Sequence, residues 1–284
     1  MILELSKESF TKIRHLVGEV SHYLVLSTLL EGRTPGKVWV NHVDEPTSAL
    51  LWDKLNTFFF LAGDSTDDKF NQELTSLMMD TLFPEIIQLQ YRKFFLQATS
   101  QAWEEQIGVL LKGSNPGQQA IYCYALDPRH ADSAPKEQRL PTRYKMTRIT
   151  RELLNDTRLE NQDEIVYCIR ACWQSVDQYL HNGGVGYCLL EGDVITSWCS
   201  TDYVVGNECE LYVETFEGHK RKGLGTLAAS ACVQECVARG LTVYWHCFSD
   251  HLGSVKIAEK VGLVKTAECP VYVVDLQDKQ HDSQ

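Results

Sequence analysis

The stretch ELYVETFEGHKRKGLGTLAA, residues 210–229, passes from an alternating segment through a basic loop and two glycines into an alanine-rich helical segment. A strand that leads into a glycine-rich turn at a helix N-terminus presents unpaired backbone N–H groups and the positive end of the helix dipole. Gly223 and Gly225 have no Cβ to keep a phosphate away from the backbone, and the basic tripeptide at 220–222 adds positive charge. The stretch therefore predicts an anion-binding site.

Three phosphate-binding patterns compete for this loop. The Walker pattern needs Lys followed by Ser or Thr directly after its last glycine, but Leu224 and Gly225 follow Gly223, which disfavours a P-loop. The dinucleotide pattern G-x-G-x-x-G/A is matched by Gly223, Gly225 and Ala228, which keeps an NAD-dependent oxidoreductase as an alternative. Against it, the basic tripeptide separates the strand from the glycines, and the next strand, TVYWHCF at 242–248, ends without an acidic residue for a ribose.

The third pattern is Q/R-x-x-G-x-G/A, the coenzyme loop of the GCN5-related N-acetyltransferases (GNAT). The run KRKGLGT at 220–226 resembles it, with lysine at the first position. Downstream, HLGSVKIAEKVGL at 251–263 is similar to the family's N-x-x-S-x-x-L-Y-x-K-x-G-F segment, with His251 in place of asparagine and Ala258 in place of tyrosine. The runs AEKVGL and TSWCS most resemble the branch of the zwittermicin A resistance acetyltransferases.

The resemblance implies acetyl-CoA as the co-substrate and assigns residues to it. The pyrophosphate would lie on the backbone N–H groups of the loop, and the pantetheine arm would pair with the strand before it. The residues predicted to bind the coenzyme are Leu211, Tyr212, Val213, Lys220, Arg221, Lys222, Gly223, Leu224, Gly225, Thr226 and Ser254.

Glu210 is the candidate general base. The resemblance puts a base glutamate near this position, and alternation places Glu210 and Tyr212 on one face of the strand with Leu211 and Val213 on the other. A carboxylate within a sheet could take a proton from an ammonium group, directly or through water. The alternative is a solvated strand residue. Ala258 cannot protonate the leaving thiolate, so a coenzyme A-binding regulatory module without turnover remains a second alternative.

Composition narrows the class of partner. The net charge of −11 and the pI near 5.3 argue against nucleic acid or an anionic membrane and favour a cationic acceptor, which we expect to be a small primary amine. The ten cysteines form no C-x-x-C pair, and His246, Cys247 and His251 match no zinc spacing, so no metal is expected. The N-terminus has no signal-peptide pattern and no apolar run spans a membrane, which predicts a cytoplasmic enzyme.

Polarity patterns predict strands and helices that alternate along the chain, in an approximate element order that the two halves share. The predicted strands lie at 37–43, 56–63, 94–98, 120–126, 144–149, 186–193, 194–201, 208–215, 242–248 and 269–276. The predicted helices are a first amphipathic helix from residue 10 to before the RTPG turn at 33–36, and helices at 70–88, 101–111, 164–183, 225–239 and 253–261. The six tryptophans, which are spread along the chain, are expected in the core.

Element order predicts an α/β protein with a mixed sheet. Residues 1–130 are expected to form an N-terminal α/β domain, interpreted as a degenerate GNAT-like copy, and 142–284 the GNAT domain. The proline-rich, charged segment at 131–141 is the predicted linker. The sequence leaves open whether the N-terminal domain shapes the acceptor site or mediates homodimer formation.

Ligand choice tests the loop assignment. We expect the melting temperature to rise by several degrees with excess acetyl-CoA but not with NAD or ATP, because a ligand at about 100 times its Kd stabilises by about 2.7 kcal/mol. A bulky replacement of Gly225 should abolish the rise. A rise with NAD instead would make the oxidoreductase interpretation primary.

Overall fold

The computed structural model describes residues 2–18, 23–54, 57–128 and 140–276. The chain divides into two compact units, one of Met1–Ala120 with Pro270–Gln284 and one of Ile121–Cys269. Residues 131–139 of the predicted linker lie outside the described residues, so the linker remains a prediction.

The first unit is a mixed sheet with helices after its first, fourth and fifth strands. Its elements are β1 (Leu3–Glu4), a 3₁₀ helix (Lys7–Leu16), α1 (Leu24–Leu30), β2 (Gly36–Val40), β3 (Ser48–Asp53), β4 (Phe58–Gly63), α2 (Asp68–Leu77), a π-helical turn (Met78–Leu82), α3 (Phe83–Gln88), β5 (Lys93–Ala98) and α4 (Gln101–Leu110). A row of aromatic rings crosses four of the strands, with Trp39 against Trp52, Trp52 against Phe59 and Phe59 against Phe94. These rings belong to the core of the unit.

The second unit is also a mixed sheet flanked by helices. Its elements are β6 (Gly117–Leu126), β7 (Lys145–Arg148), α5 (Arg151–Leu154), α6 (Gln162–Trp173), α7 (Val176–His181), β8 (Gly186–Glu191), β9 (Val194–Val205), β10 (Glu208–Thr215), α8 (Leu224–Ala238), β11 (Thr242–Phe248), α9 (Leu252–Lys260) and β12 (Val264–Asp275). β6 begins in the first unit and β12 ends there.

The two sheets share one pattern of strand pairing. The first sheet has the order β1-β2-β3-β4-β5-β12, and the second has β7-β8-β9-β10-β11-β6 when read from its other end. In both, three antiparallel pairings are followed by one parallel and one antiparallel pairing. The sixth strand of each sheet comes from the other half of the sequence. The shared element order predicted for the two halves is thereby confirmed.

Small residues let α8 lie close to the second sheet. Its inward face carries Ala228, Ala229 and Cys232, which pack in one core with Leu211 of β10 and Trp245 of β11. Because side chains alternate along a strand, Glu210 and His246 belong to the opposite face of these two strands. All six tryptophans of the chain are buried, as the sequence predicted.

Three predicted helices differ from those observed. The helix predicted at 164–183 is two helices, because Ser175 accepts a hydrogen bond from the Gln178 N–H and starts α7 after a left-handed Gln174. The helix predicted at 70–88 contains the π-helical turn, which ends two residues before Pro84, a residue that cannot donate a backbone hydrogen bond. The first predicted amphipathic helix is a 3₁₀ helix followed by α1, with 19–22 outside the described residues.

Three elements were absent from the sequence prediction, namely β1, β3 and α5, and β1 has only two residues. Strand β3 is buried at every position, so it shows none of the alternation by which a half-buried strand is identified. Helix α5 has only four residues, which is too short to give a periodic pattern.

Substitution of Gly63 tests how closely the backbone packs at the end of β4. Gly63 and Gly113 have similar positive φ angles of +83° and +87°, but a Cβ at 63 would collide with the Thr47 carbonyl oxygen, whereas a Cβ at 113 would meet nothing within 4 Å. Gly113→Ala should lower the free energy of unfolding by about 1 to 2 kcal/mol through backbone strain alone. Gly63→Ala should lower it by roughly 2 kcal/mol more. Equal losses by urea denaturation would show that the backbone yields at Gly63.

Candidate active site

The two central strands of the second unit separate halfway along their length. β10 and β11 pair in parallel from Glu208 to Glu210 on β10, and the last pair is Glu210 with Tyr244. Beyond it, β10 continues beside β9 and β11 continues beside β6. The register of β10 with β9 shifts between Glu210 and Leu211, which is a β-bulge at the same point. The edge of β10 from Leu211 onward therefore has no ladder to β11 among the described residues.

The two loop glycines have different structural roles. Gly223 precedes the first residue of α8 with φ +79°, and a Cβ built on it meets no atom within 4 Å. A Cβ on Gly225 would lie 3.0 Å from both the Ile257 Cδ1 and the Thr215 Oγ1 atoms, so this glycine lets α8 pack on its neighbours. The space beside Gly223 is open at the positive end of the helix dipole, where an anion binds favourably.

The basic side chains of the loop are partly engaged. Lys220 Nζ lies 2.8 Å from Glu217 Oε2, and this hydrogen bond raises the pKa of Lys220. Lys222 Nζ donates to the Gly218 carbonyl oxygen at 2.8 Å. Arg221 has a left-handed backbone with φ +63°. All three side chains are solvent-exposed, so an arriving polyanion can compete for them.

Glu210 is hydrogen-bonded to a residue that the sequence analysis did not assign to the site. His246 Nδ1 lies 2.8 Å from Glu210 Oε1, and the two side chains are 10% and 15% exposed respectively. The other carboxylate oxygen, Glu210 Oε2, is buried and has no hydrogen-bond partner among the described residues. The predicted alternation along β10 is confirmed, since Leu211 is buried in the core while Tyr212 is exposed.

Tyr212 and Glu214 extend the same face towards the loop. The Tyr212 hydroxyl donates to Glu214 Oε2 at 3.1 Å, and burial together with Glu214 raises the pKa of Tyr212. Burial also raises the pKa of the Cys168 thiol to about 12, with Asp202 and Glu164 acting in the same direction. The surroundings of Tyr212 are therefore rich in carboxylates and favour cations over anions.

The downstream segment lies on α9. Ser254 is 9% exposed, and its hydroxyl accepts a hydrogen bond from Trp245 Nε1 at 2.9 Å. Ala258 is fully buried in the same core. Ser254 thus contacts the core, and its assignment to the coenzyme remains a prediction. Thr226, in the first turn of α8, is also buried.

Two other kinds of site are absent from the part of the chain that the structure describes. Across the described ranges, no group of three or more His, Cys, Asp or Glu side chains could hold a metal ion. No helix in the described part of the chain is long and apolar enough to cross a membrane.

Comparison with known proteins identifies the family. The sequence model of the GNAT acetyltransferases matches residues 14–272, so the chain belongs to the GNAT acetyltransferase family and is an acyltransferase. The chain is 22% identical over 273 residues to the uncharacterized N-acetyltransferase YdfB of Bacillus subtilis (strain 168), covering 96% of this chain and 98% of YdfB.

Solved structures show the same fold along nearly the whole chain. A GCN5-related N-acetyltransferase-like protein from Streptococcus suis matches with a TM-score of 0.66 and 23% identity, covering 93% of this chain and 98% of that one. A tandem GNAT protein from the clavulanic acid biosynthesis pathway matches with a TM-score of 0.58 and 11% identity, covering 97% and 99%. The predicted mixed α/β fold with a GNAT domain and a GNAT-like partner is confirmed.

Gly218 provides a matched control for Gly223. Both glycines have φ +79°, and neither position has an atom within 4 Å of an added Cβ, so alanine causes the same backbone strain at each. We expect Gly223→Ala alone to weaken acetyl-CoA binding, by about tenfold or more, because its Cβ would enter the proposed phosphate position. Isothermal titration calorimetry measures both affinities. Equal affinities in the two variants would exclude this position for the pyrophosphate.

Proposed function

We propose that this protein transfers an acetyl group from acetyl-CoA to the primary amine of a small molecule in the cytoplasm. The observation that carries the proposal is the separation of β10 from β11 at Glu210, beside a buried carboxylate oxygen that has no described partner. Along residues 210–226, the candidate base comes first, the strand edge without a ladder to β11 follows it, and the proposed anion-binding loop comes last.

The donor side fits acetyl-CoA by shape and charge. The open space at Gly223 suits a pyrophosphate, with N–H groups from Arg221 to Thr226 as donors. The edge of β10 at Leu211, Tyr212 and Val213 suits an extended arm that carries amide groups, because such an arm can add to a strand edge. When bound, acetyl-CoA supplies the activated acyl group. Backbone N–H groups on the same edge can donate to the oxyanion that develops at the thioester carbonyl.

In this proposal, Glu210 is the general base that removes a proton from the acceptor amine. An ammonium nitrogen cannot attack until it loses a proton, and Glu210 takes that proton directly or through water. The nitrogen–carbon bond then forms and the carbon–sulfur bond breaks. The nitrogen loses its second proton as the amide forms, and that proton passes through water to the thiolate, which is a good leaving group near neutral pH. Ala258, which is buried and apolar, has no part in this last step.

The acceptor is proposed to be a small cationic amine. The carboxylates Glu210 and Glu214 lie on one face of β10, Asp202 and Glu164 raise the pKa of Cys168 near Glu214, and the whole chain carries a net charge of −11. Such a field attracts amines and repels polyanions. The resemblance of AEKVGL and TSWCS to zwittermicin A resistance acetyltransferases supports a small molecule over a protein.

Glu210→Gln separates this proposal from a regulatory module that only binds the coenzyme. We expect kcat to fall by about 100-fold or more, because a positioned general base contributes roughly that much. The Kd for acetyl-CoA should stay unchanged, because the carboxylate does not touch the phosphates. The assay incubates the protein with acetyl-CoA and a panel of mono- and polyamines and detects the acetylated product by mass spectrometry.

Glu208→Gln is the matched control. Glu208 lies on the same strand and the same face, where it accepts a hydrogen bond from Tyr244, and its loss removes the same charge. Its kcat should remain at the wild-type level. Full activity of Glu210→Gln would remove the base assignment, and wild-type binding of acetyl-CoA without any acetylated amine would favour the regulatory module.

A further inference from the structure

We infer that His246 is a positioning residue for Glu210. Its ring N–H holds one carboxylate oxygen, so that the remaining oxygen, Oε2, is the one that takes the proton from the acceptor. The inference rests on the proposed function, because it assigns a partner to the proposed base.

His246 lies where the two strands have just separated. The last residue of β11 that pairs with β10 is Tyr244, opposite Glu210, and His246 follows it by two residues on the same face. The 2.8 Å contact from His246 Nδ1 to Glu210 Oε1 therefore joins the two strands at the position where their backbone ladder has ended. This side-chain hydrogen bond joins β10 and β11 at the point where the next backbone hydrogen bond of a continued ladder would lie.

The direction of this hydrogen bond follows from the charge state of a base. An ionised carboxylate can only accept, so Nδ1 must carry the proton and donate it to Oε1. Hydrogen bonds to a charged group are stronger than neutral ones, and this one lies in a largely buried setting, so it restricts rotation of the carboxylate. Glu210 Oε2 is left buried without a described partner.

A second hydrogen-bonded pair, Glu208 with Tyr244, joins the same two strands, and its donor is a tyrosine hydroxyl and not an imidazole. Glu208 Oε1 accepts from the Tyr244 hydroxyl at 2.8 Å, so each of these two β10 carboxylates has its own donor on β11. Among the cross-strand neighbours of the Glu210–His246 pair, Tyr203 lies opposite Glu210 on β9 and Cys123 lies opposite His246 on β6. The Glu208–Tyr244 pair thus provides a control for a purely structural ladder contact.

The test compares three variants by kcat, by the Kd for acetyl-CoA and by the temperature of unfolding. His246→Ala should lower kcat by about 10- to 100-fold, which is the effect of losing one hydrogen bond to a charged group. His246→Asn should recover most of that loss, because its amide N–H extends from the same side-chain atom as Nδ1 and can donate to Oε1. Tyr244→Phe should leave kcat unchanged. All three should bind acetyl-CoA as the wild type does.

The Glu210→Gln background distinguishes failure of this inference from failure of the proposed function. If His246 acts through Glu210, then His246→Ala has no further effect on kcat once Glu210 is Gln. A full additional loss in that background would overturn the inference, as would a His246→Asn variant as inactive as His246→Ala. Unaltered kcat in Glu210→Gln itself would instead contradict the base assignment.

A spectroscopic measurement needs no acceptor. In ¹⁵N-histidine-labelled wild-type protein, the His246 ring, assigned by its loss in His246→Asn, should carry its proton on Nδ1 near neutral pH. In Glu210→Gln this preference should weaken. A ring protonated only on Nε2 in the wild type would contradict the inference.

Discussion

The proposed chemistry of this protein depends on the point at which two parallel strands stop pairing. β10 and β11 share three register pairs and then separate, because β10 stays with β9 while β11 stays with β6. The same point carries a β-bulge, Glu210 and the hydrogen bond to His246. Among the described residues, the edge of β10 beyond Glu210 thereby has no ladder to β11, and a buried carboxylate lies at the start of that edge.

The two units share one strand order but differ at the N-terminus of the helix that follows the fourth strand of that order. In the first unit, the helix after β4 begins at Asp67, whose carboxylate accepts from the Phe70 N–H at 2.9 Å, and this backbone bond is the largest cause of its lowered pKa. In the second unit, the helix after β10 begins at Gly223, which has no side chain to occupy that position. A carboxylate thus caps the helix N-terminus in one unit, whereas the glycine at the other offers no side-chain cap, as the proposed anion site requires.

Local features were predicted well and long-range ones poorly. The bounds of β10 and β11 agree with the sequence prediction, because both alternate in polarity and end at turns. β3 was not predicted, because burial on both faces removes the alternation of polarity that identifies a strand. The single helix expected at 164–183 is interrupted by a serine cap. The sequence pattern argued against a zinc role for His246 and did not connect it with Glu210, since a histidine on an alternating strand carries no local signal of its partner.

The sequence by itself determined the glycine loop, the faces of β10 and the family, because each depends on residues within about one helical turn or a few strand positions of one another. Only the tertiary structure shows that Glu210 contacts His246. It also shows that β12 is the sixth strand of the first sheet and that β6 is the sixth strand of the second. The glutamate and histidine are 36 positions apart, and their contact depends on the register of two parallel strands. A shift of one residue in that register would turn His246 to the other face.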